Sequence, residues 1–434
     1  MIEQILFLLT LLIFGFLIFQ RIKKIAENIN LGQGGMPEGN SSQRFREMFL
    51  IAFGQKKMFK KPIPAIFHFF IYTGFLIINI EVLEFMIDGI SGGHRFFAPF
   101  LGSFYTLLMN IFEFMALAVL IACMVFLFRR NILRVQRFHS REMTSWPSLD
   151  ANLILIIESA LVLAIFSMNA ADQLLQPLDS HYPETGKLIV SSFFVPLFMN
   201  ADHSSLIIIE RMAWWVHIVG ILSFALYVTW SKHLHIFMAF PNTWYSRFSP
   251  KGKINNMPVV TREVYSMLQL PALESLGADT ENISEKFGAK DITDLSKKNI
   301  MEAYTCTECG RCTAQCPANL TGKLLSPRAI MMAVRDRAEE LGSKKEGKGD
   351  HTLLGHYISK EEVNACTSCN ACVEACPVNI NPLEIILELR RYVAMEESGC
   401  PPAWNQMFQN IETSFAPWKF PPSDRFRWVE KIKS

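Results

Sequence analysis

Charge is scarce in this chain. Only 19% of its 434 residues are Asp, Glu, Lys or Arg, and the net charge is +2. Without a basic excess there is no phosphate-neutralising footprint, so nucleic acid is excluded as a partner. The scarcity is also local. Residues 1–250 hold 35 charged side chains and the following 184 hold 47, the second figure being the globular norm of about 25%. The first part is too apolar for a soluble domain. Cysteine is equally lopsided: of ten, only Cys123 precedes residue 306, and eight fall between 306 and 376. Glu3 is the only charge before Arg21 and no small-residue cleavage site follows, so the first apolar run reads as a retained helix rather than a secretory leader. Nucleophile–base and paired-carboxylate constellations are missing too. Any chemistry belongs to cofactors.

Five apolar stretches, about 2–20, 63–87, 103–128, 151–170 and 206–231, reach or approach the roughly 20 residues that span a bilayer. Lys187 to Met199 is apolar but short and broken by Pro196, and is expected at the membrane interface. Nine Lys/Arg lie in 21–61 and five in the loop after the third helix, against Arg95 and Lys187 alone in the other two loops. The positive-inside rule then predicts a multi-pass protein of the cell inner membrane, with its N-terminus outside and its C-terminal half in the cytoplasm.

Histidines are the most informative residues of this half. His68 lies near the start of the second helix, and His217 about two turns into the fifth. His217 and His235 are 18 residues apart, five whole turns, so one helix face carries both about 27 Å apart, with His233 about 160° away. His68 falls at the depth of His235, and one imidazole from each predicts a b-type haem near the cytoplasmic surface. His217 is positioned for a second haem, with Met86, His94, His181 or His203 as the other ligand; alternatively there is one haem and His217 lines a quinone pocket. His233 and His235 also fit as interfacial histidines. Glu81, Glu84, Glu113 and Glu158 fall in or near spans. Glu113, closest to the middle, serves either a proton path or quinone, or is satisfied by Asn or Ser of a neighbouring helix. Lys60, Lys61, Arg129 and Arg130 suit haem propionates or plain interfacial anchoring. Cys123 reads as a packed small hydrophobe.

Residues 306–317 (CTECGRCTAQCP) and 366–377 (CTSCNACVEACP) both fit C-x2-C-x2-C-x3-C-P. In that pattern three thiolates on one loop bind one cubane and the fourth reaches the other. Cys306, Cys309, Cys312 and Cys376 are expected on one [4Fe–4S] cluster, and Cys366, Cys369, Cys372 and Cys316 on the second. Cys400 is expected to have no cluster role. The 49 residues between the runs include Ser326–Leu341, with Ser and Pro at N-cap and N1 and Gly342 beyond. This segment makes the module an all-helical ferredoxin. A second helix is expected from Pro382, and a mobile loop over 342–350. The chain therefore divides into a membrane domain (1–245), a linker (246–289), an α-helical ferredoxin (290–400) and an aromatic tail (401–434) that wraps its own domain or a partner. The fold class is all-α.

The five-helix part resembles the cytochrome b (gamma) subunit of respiratory nitrate reductase, with haem histidines on the second and fifth helices. Ser231-Lys-His-Leu-His-Ile236 is similar to the end of the fifth helix in fused iron–sulfur oxidoreductases. Residues 290–400 resemble the ferredoxin subunit of heterodisulfide reductase. Together they resemble membrane oxidoreductases that link electron-transfer flavoprotein to menaquinone. Two departures stand out: the nitrate reductase pattern has two histidines on the second helix where only His68 is present, and the C-C-G domains of longer relatives are absent. The resemblance implies electron flow between a cytoplasmic flavoprotein or C-C-G iron–sulfur subunit and menaquinone or another quinone. Flow in reverse, from quinol to a heterodisulfide- or sulfite-type reductase, and a haem-free anchor for a ferredoxin are the competing readings.

Overall fold

The computed structural model describes residues 1–250, 252–270, 286–343 and 351–433. Its membrane part is built on α1 (Ile2–Ile29), α2 (Pro62–Ser91), α3 (Ser103–Asn131), α4 (Trp146–Leu175) and α5 (His203–Val228). All five are long and apolar enough to cross a membrane. Pro62 and Pro147 open α2 and α4, where a missing N–H costs nothing. Gly92 ends α2 in the left-handed conformation, a position that favours glycine. α4 packs against α3 and α5, while α1 lies against α2 and α5. The interior holds Phe7, Phe85, Val119, Cys123, Phe166 and Trp214. Leu12, Phe104, Ile121 and Met212 point outward and stay exposed, as lipid-facing side chains do.

Most of the helices run a few residues past their expected ends, and tertiary contacts explain the ends of α1 and α5. α1 runs nine residues past position 20 because its polar extension docks on the cysteine-rich half: Arg21 pairs with Glu339 at 2.7 Å, and Asn28 donates to the Tyr304 hydroxyl at 2.8 Å. α5 stops at Val228 instead of 231. Asp150 of α4 accepts from Ser231 Oγ (2.7 Å) and from the Lys232 N–H (3.2 Å), which turns the chain, and α6 (His235–Trp244) starts afresh. His217 and His235 are therefore on different helices, and the five-turn phase relation between them does not apply.

The 187–199 segment folds as a 3-10 turn (Ser191–Phe193) and a short helix (Val195–Phe198). Glu113 anchors it, accepting from the Val190 N–H at 2.9 Å, the Ser191 N–H at 3.2 Å and the Ser191 hydroxyl, with Asn169 Nδ2 at 3.1 Å. Asn and Ser thus hold Glu113, the second of the two readings the sequence left open.

The C-terminal half is built on α7 (Lys297–Thr305), α8 (Pro327–Gly342), α9 (Pro382–Met395) and α10 (Pro402–Ser414). Among the described residues it has no strand, only isolated bridges. Ser326 caps α8 by accepting from the Ala329 N–H. Ile292, Ile300, Ile330, Val334, Ile386 and Leu389 form one buried cluster with the cysteine loops. Residues 344–350 of the expected loop, and 251 and 271–285 of the expected linker, lie outside the described residues. In the tail, Phe415, Trp418, Phe420, Phe426 and Trp428 are exposed, so these aromatics do not wrap their own domain.

The halves are joined by buried polar contacts. α6 packs on α7, where the Lys298 ammonium donates to the Asn242 carbonyl at 2.8 Å. Arg328 of α8, fully buried, reaches across to Glu142 at 2.7 Å in the α3–α4 loop.

Candidate functional site

Where the two halves meet, a cavity of about 320 Å³ opens between α2, α4 and the α5–α6 turn. His68, His233 and His235 line it together with Tyr72, Glu158 and Cys309. The His68 and His235 rings face each other with centres 6.4 Å apart. Each Nδ1 is already engaged, His68 with Gln55 Oε1 at 3.1 Å and His235 with the Lys232 carbonyl at 3.1 Å. An imidazole whose Nδ1–H donates to an oxygen presents Nε2 as a lone pair. His233 is turned away: its ring is perpendicular to that of His235, and its Nε2 lies 3.3 Å from Glu158 Oε1. Five cations, Arg129, Arg130, Arg137, Arg311 and Lys232, line the same cavity with only two carboxylates, Glu158 and Glu308.

Sequence reasoning missed three residues of this site. Gln55 sits at a positive φ after a π-helical turn, and no motif marks it. Asp150 fixes the turn that delivers His235, and only the tertiary contact to Tyr227, Ser231 and Lys232 reveals it. Lys232 is buried and pairs with Glu308 at 2.6 Å. Burial opposes the Glu308 charge, but Arg335 and Lys232 outweigh it and hold the carboxyl below the usual carboxylate range. Lys60 is exposed and pairs with Glu374 at 2.6 Å; neither it nor Lys61 lines the cavity.

His217 is buried in α5. Its Nδ1 meets the Leu161 carbonyl at 2.9 Å, while among the described residues nothing partners its Nε2. Its ring lies 5.5 Å from Phe85. Two of the expected second ligands are engaged elsewhere: His94 is bonded to Asp172 at 3.0 Å, and His203 lies 3.6 Å from Asp179. Nor does His217 line the cavity that holds the other three histidines.

Cys306, Cys309, Cys312 and Cys376 surround one small recess. Burial, and then the thiols of Cys306, Cys309, Cys376 and Cys372 in that order, hold Cys312 well above the usual thiol range. Burial first, and then Cys366, Cys316 and Cys369, push Cys372 up to about 12. The recess thus takes three thiols from the first run and one from the second. In both loops the second residue after the leading cysteine, counting Thr307 and Thr367 as first, has positive φ: Glu308 (53°) and Ser368 (55°). Among the described residues no His, Cys, Asp or Glu set closes to the spacing of a single metal ion. A cubane spaces its ligands more widely, because each sulfur binds a different iron.

Residues 305–380 match the 4Fe-4S dicluster domain. All eight clustered cysteines lie inside this dicluster domain. The whole chain is similar to a probable iron–sulfur-binding oxidoreductase, FadF, of Bacillus subtilis, at 25% identity over 99% of this chain and 61% of the relative. It is 24% identical to the EtfAB:quinone oxidoreductase of Syntrophomonas wolfei over 90% of this chain and 54% of that protein. The dicluster region is 30% identical to one subunit of a ferredoxin/F(420)H(2)-dependent CoB-CoM heterodisulfide reductase of Methanosarcina acetivorans, over 25% of this chain and 56% of that protein. The chain thus spans between half and two thirds of the length of these relatives. No solved structure matches it. Relatives and architecture together support membrane-associated iron–sulfur electron transfer.

Proposed function

We propose that this protein carries electrons between a cytoplasmic redox partner and the quinone pool, through two [4Fe–4S] clusters and a b-type haem. The observation that carries the reading is the single cavity whose wall holds both the His68–His235 pair and Cys309. His68 and His235 would hold the haem through Nε2, since each Nδ1 is engaged elsewhere. Their ring centres stand 6.4 Å apart across the cavity. The cationic wall fits a dianionic occupant, since buried guanidinium groups are stable only when paired. Cys306, Cys309, Cys312 and Cys376 are the ligands of the cluster next to this cavity, and Cys366, Cys369, Cys372 and Cys316 those of the other.

When bound, these groups supply one-electron carriers whose potentials the protein tunes through burial and hydrogen bonds. The chain's own residues do the rest. Gln55 and the Lys232 carbonyl fix the tautomer and orientation of the two imidazoles. The Lys232–Glu308 bridge holds the first cysteine loop against the cavity. The basic loops support an orientation with the dicluster domain in the cytoplasm. The relative named for EtfAB and quinone supports electron-transfer flavoprotein, directly or through a C-C-G subunit, as the soluble partner and quinone as the membrane one. Similarity to heterodisulfide reductase subunits supports flow in the opposite direction as the second reading. With His94 and His203 engaged elsewhere, a quinone contact is a better use of the unpartnered His217 Nε2 than a second haem.

The test is the optical spectrum of the purified, dithionite-reduced full chain. A b-type α-band is expected in the wild type and its loss in His68→Ala. A wild type without that band, or full haem content in the variant, sinks the haem assignment. Redox titration of the haem and clusters against menaquinone separates the two directions of flow.

A further inference from the structure

At the end of the bundle away from the dicluster domain, α2 carries Glu81, Glu84 and Asp88 at i, i+3 and i+7, one face of the helix. All three are buried. Two of them are satisfied as anions. Glu84 accepts from the Phe97 N–H at 2.9 Å and the Tyr105 hydroxyl at 2.6 Å. Asp88 accepts from the N–H groups of Arg95 (2.9 Å) and Phe96 (3.1 Å). The facing helices add Asp172, which accepts from His94 Nε2 at 3.0 Å and the Arg95 guanidinium at 3.2 Å, and Glu113, held as described above.

Glu81 differs from the other four. It is 3% exposed, and among the described residues none donates a hydrogen bond to its Oε1. The nearest cation, Arg95 Nη1, stands 3.7 Å off. Its Nε and Nη2 are spent on Asp172 and on Asn169, 2.6 Å away, and its Nη1 donates to the Tyr105 hydroxyl at 3.5 Å rather than to Glu81. Five carboxylates therefore face one Arg and His94. A buried carboxylate with neither a hydrogen bond nor a cation of its own is strongly disfavoured, whereas the neutral acid is tolerated. A second cavity, about 250 Å³, is lined by Asp88, His181, Tyr182 and Arg211 at the same end of the bundle.

We propose that Glu81 is a proton-binding site: it holds a proton in the resting protein and exchanges it with solvent by way of Glu84, Asp88 and this second cavity. The O–H bond of Glu81 breaks and the Glu84 carboxylate, one turn on, takes the proton; Glu84 passes it to Asp88 a further turn on, and water in the cavity receives it; reprotonation runs the same steps backwards. Quinone takes up protons with its electrons, so under the electron-transfer reading this cluster is the bundle's route for proton exchange. That clause rests on the proposed function, while the proton site rests on the contacts of Glu81 alone.

Infrared spectroscopy of the purified full chain in detergent tests it. The wild type is expected to show the carbonyl stretch of a protonated carboxyl at neutral pH, shifting in D2O. Glu81→Gln should remove that component while keeping the wild-type unfolding temperature, because the amide replaces a neutral acid of the same shape. Asp88→Asn should keep the component and slow its shift in D2O. No protonated-carboxyl band in the wild type, a band unchanged in Glu81→Gln, a marked drop in that variant's unfolding temperature, or D2O exchange as fast in Asp88→Asn as in wild type would each overturn the proposal. Haem and cluster spectra of the same samples report on the electron-transfer reading separately.

Discussion

The junction between the two halves turns on Arg328. Its side chain is wholly buried, yet its guanidinium donates to Glu142 Oε1 (2.7 and 3.2 Å), to the Arg137 carbonyl (2.8 Å), to the Glu308 carbonyl (3.3 Å) and to the Ser140 hydroxyl. Arg137, Ser140 and Glu142 belong to the α3–α4 loop of the membrane part; Arg328 and Glu308 belong to the dicluster domain. Arg328→Met keeps most of the stem and removes every donor. Glu142 is left with Ser326 alone, at 2.6 Å. Removing one partner of a buried ion pair costs about 3–5 kcal/mol.

Glu142→Gln keeps an acceptor and loses only the charge, so it should cost about 1–2 kcal/mol. The double variant should then cost less than the two singles added, by roughly 1–2 kcal/mol. Chemical unfolding of the detergent-solubilised full chain, followed by cluster absorbance, measures all three. Burial raises the Glu142 carboxyl, but hydrogen bonds from Ser326 and Arg328 outweigh it and hold it below the usual carboxylate range. Its contribution is therefore complete above the ordinary carboxylate pKa and is lost as pH falls through the lowered folded value. That acid-side loss should shrink in Arg328→Met. An unchanged midpoint in Arg328→Met, or strict additivity in the cycle, refutes the assignment of this pair as the pin between the halves.

Three further outcomes are expected. Gln55→Leu removes the acceptor for His68 Nδ1 and should weaken haem binding about 10–100-fold, read by haem titration of the apoprotein; unchanged affinity would show that Gln55 does not orient the ring. A Cβ on Gly342 would overlap Asn28 Oδ1, so Gly342→Ala must displace Asn28 from Tyr304 and should destabilise by about 1–3 kcal/mol; wild-type stability would mean that α1 does not dock on α8 in solution. Cys376→Ser should perturb the cluster of the Cys306–Cys312 loop and spare that of its own loop, as electron paramagnetic resonance of the reduced protein can report; the reverse outcome would undo the crossed assignment.

Much of the fold was legible in the sequence because two of its signals are short-range. Bilayer thickness imposes a length on apolar runs, so all five spans could be placed by composition. Thiolate spacing is encoded within one loop, so C-x2-C-x2-C-x3-C-P pointed to the dicluster domain that the family match bears out. Helix ends were less legible because tertiary contacts decide them. Arg21-Ile-Lys-Lys-Ile-Ala-Glu-Asn-Ile29 is too polar to belong to the membrane, and it stays helical because Glu339 and Tyr304 meet it. Nothing local to Thr229–Ser231 announces a break either, since the residue that causes it, Asp150, is about 80 positions upstream.

The histidine site shows the same division more sharply. His68 and His235 were paired from their expected depth, and their rings do meet. The phase argument that tied His235 to His217 on one continuous helix fails at the turn after Val228. Depth survives such a break because the bilayer fixes it for every span alike, whereas helical phase is lost at the first non-helical residue. That turn is also what gives the site its character. A helix continued through residue 235 would leave no backbone carbonyl free for the His235 ring, since each would be taken by the N–H four residues on. Ending α5 early frees the Lys232 carbonyl for Nδ1, while the Lys232 ammonium reaches Glu308 beside Cys309. One three-residue turn thus orients an imidazole toward the cavity and binds the cavity wall to the cluster loop, so Asp150→Ala should disturb the His235 geometry and the domain junction together.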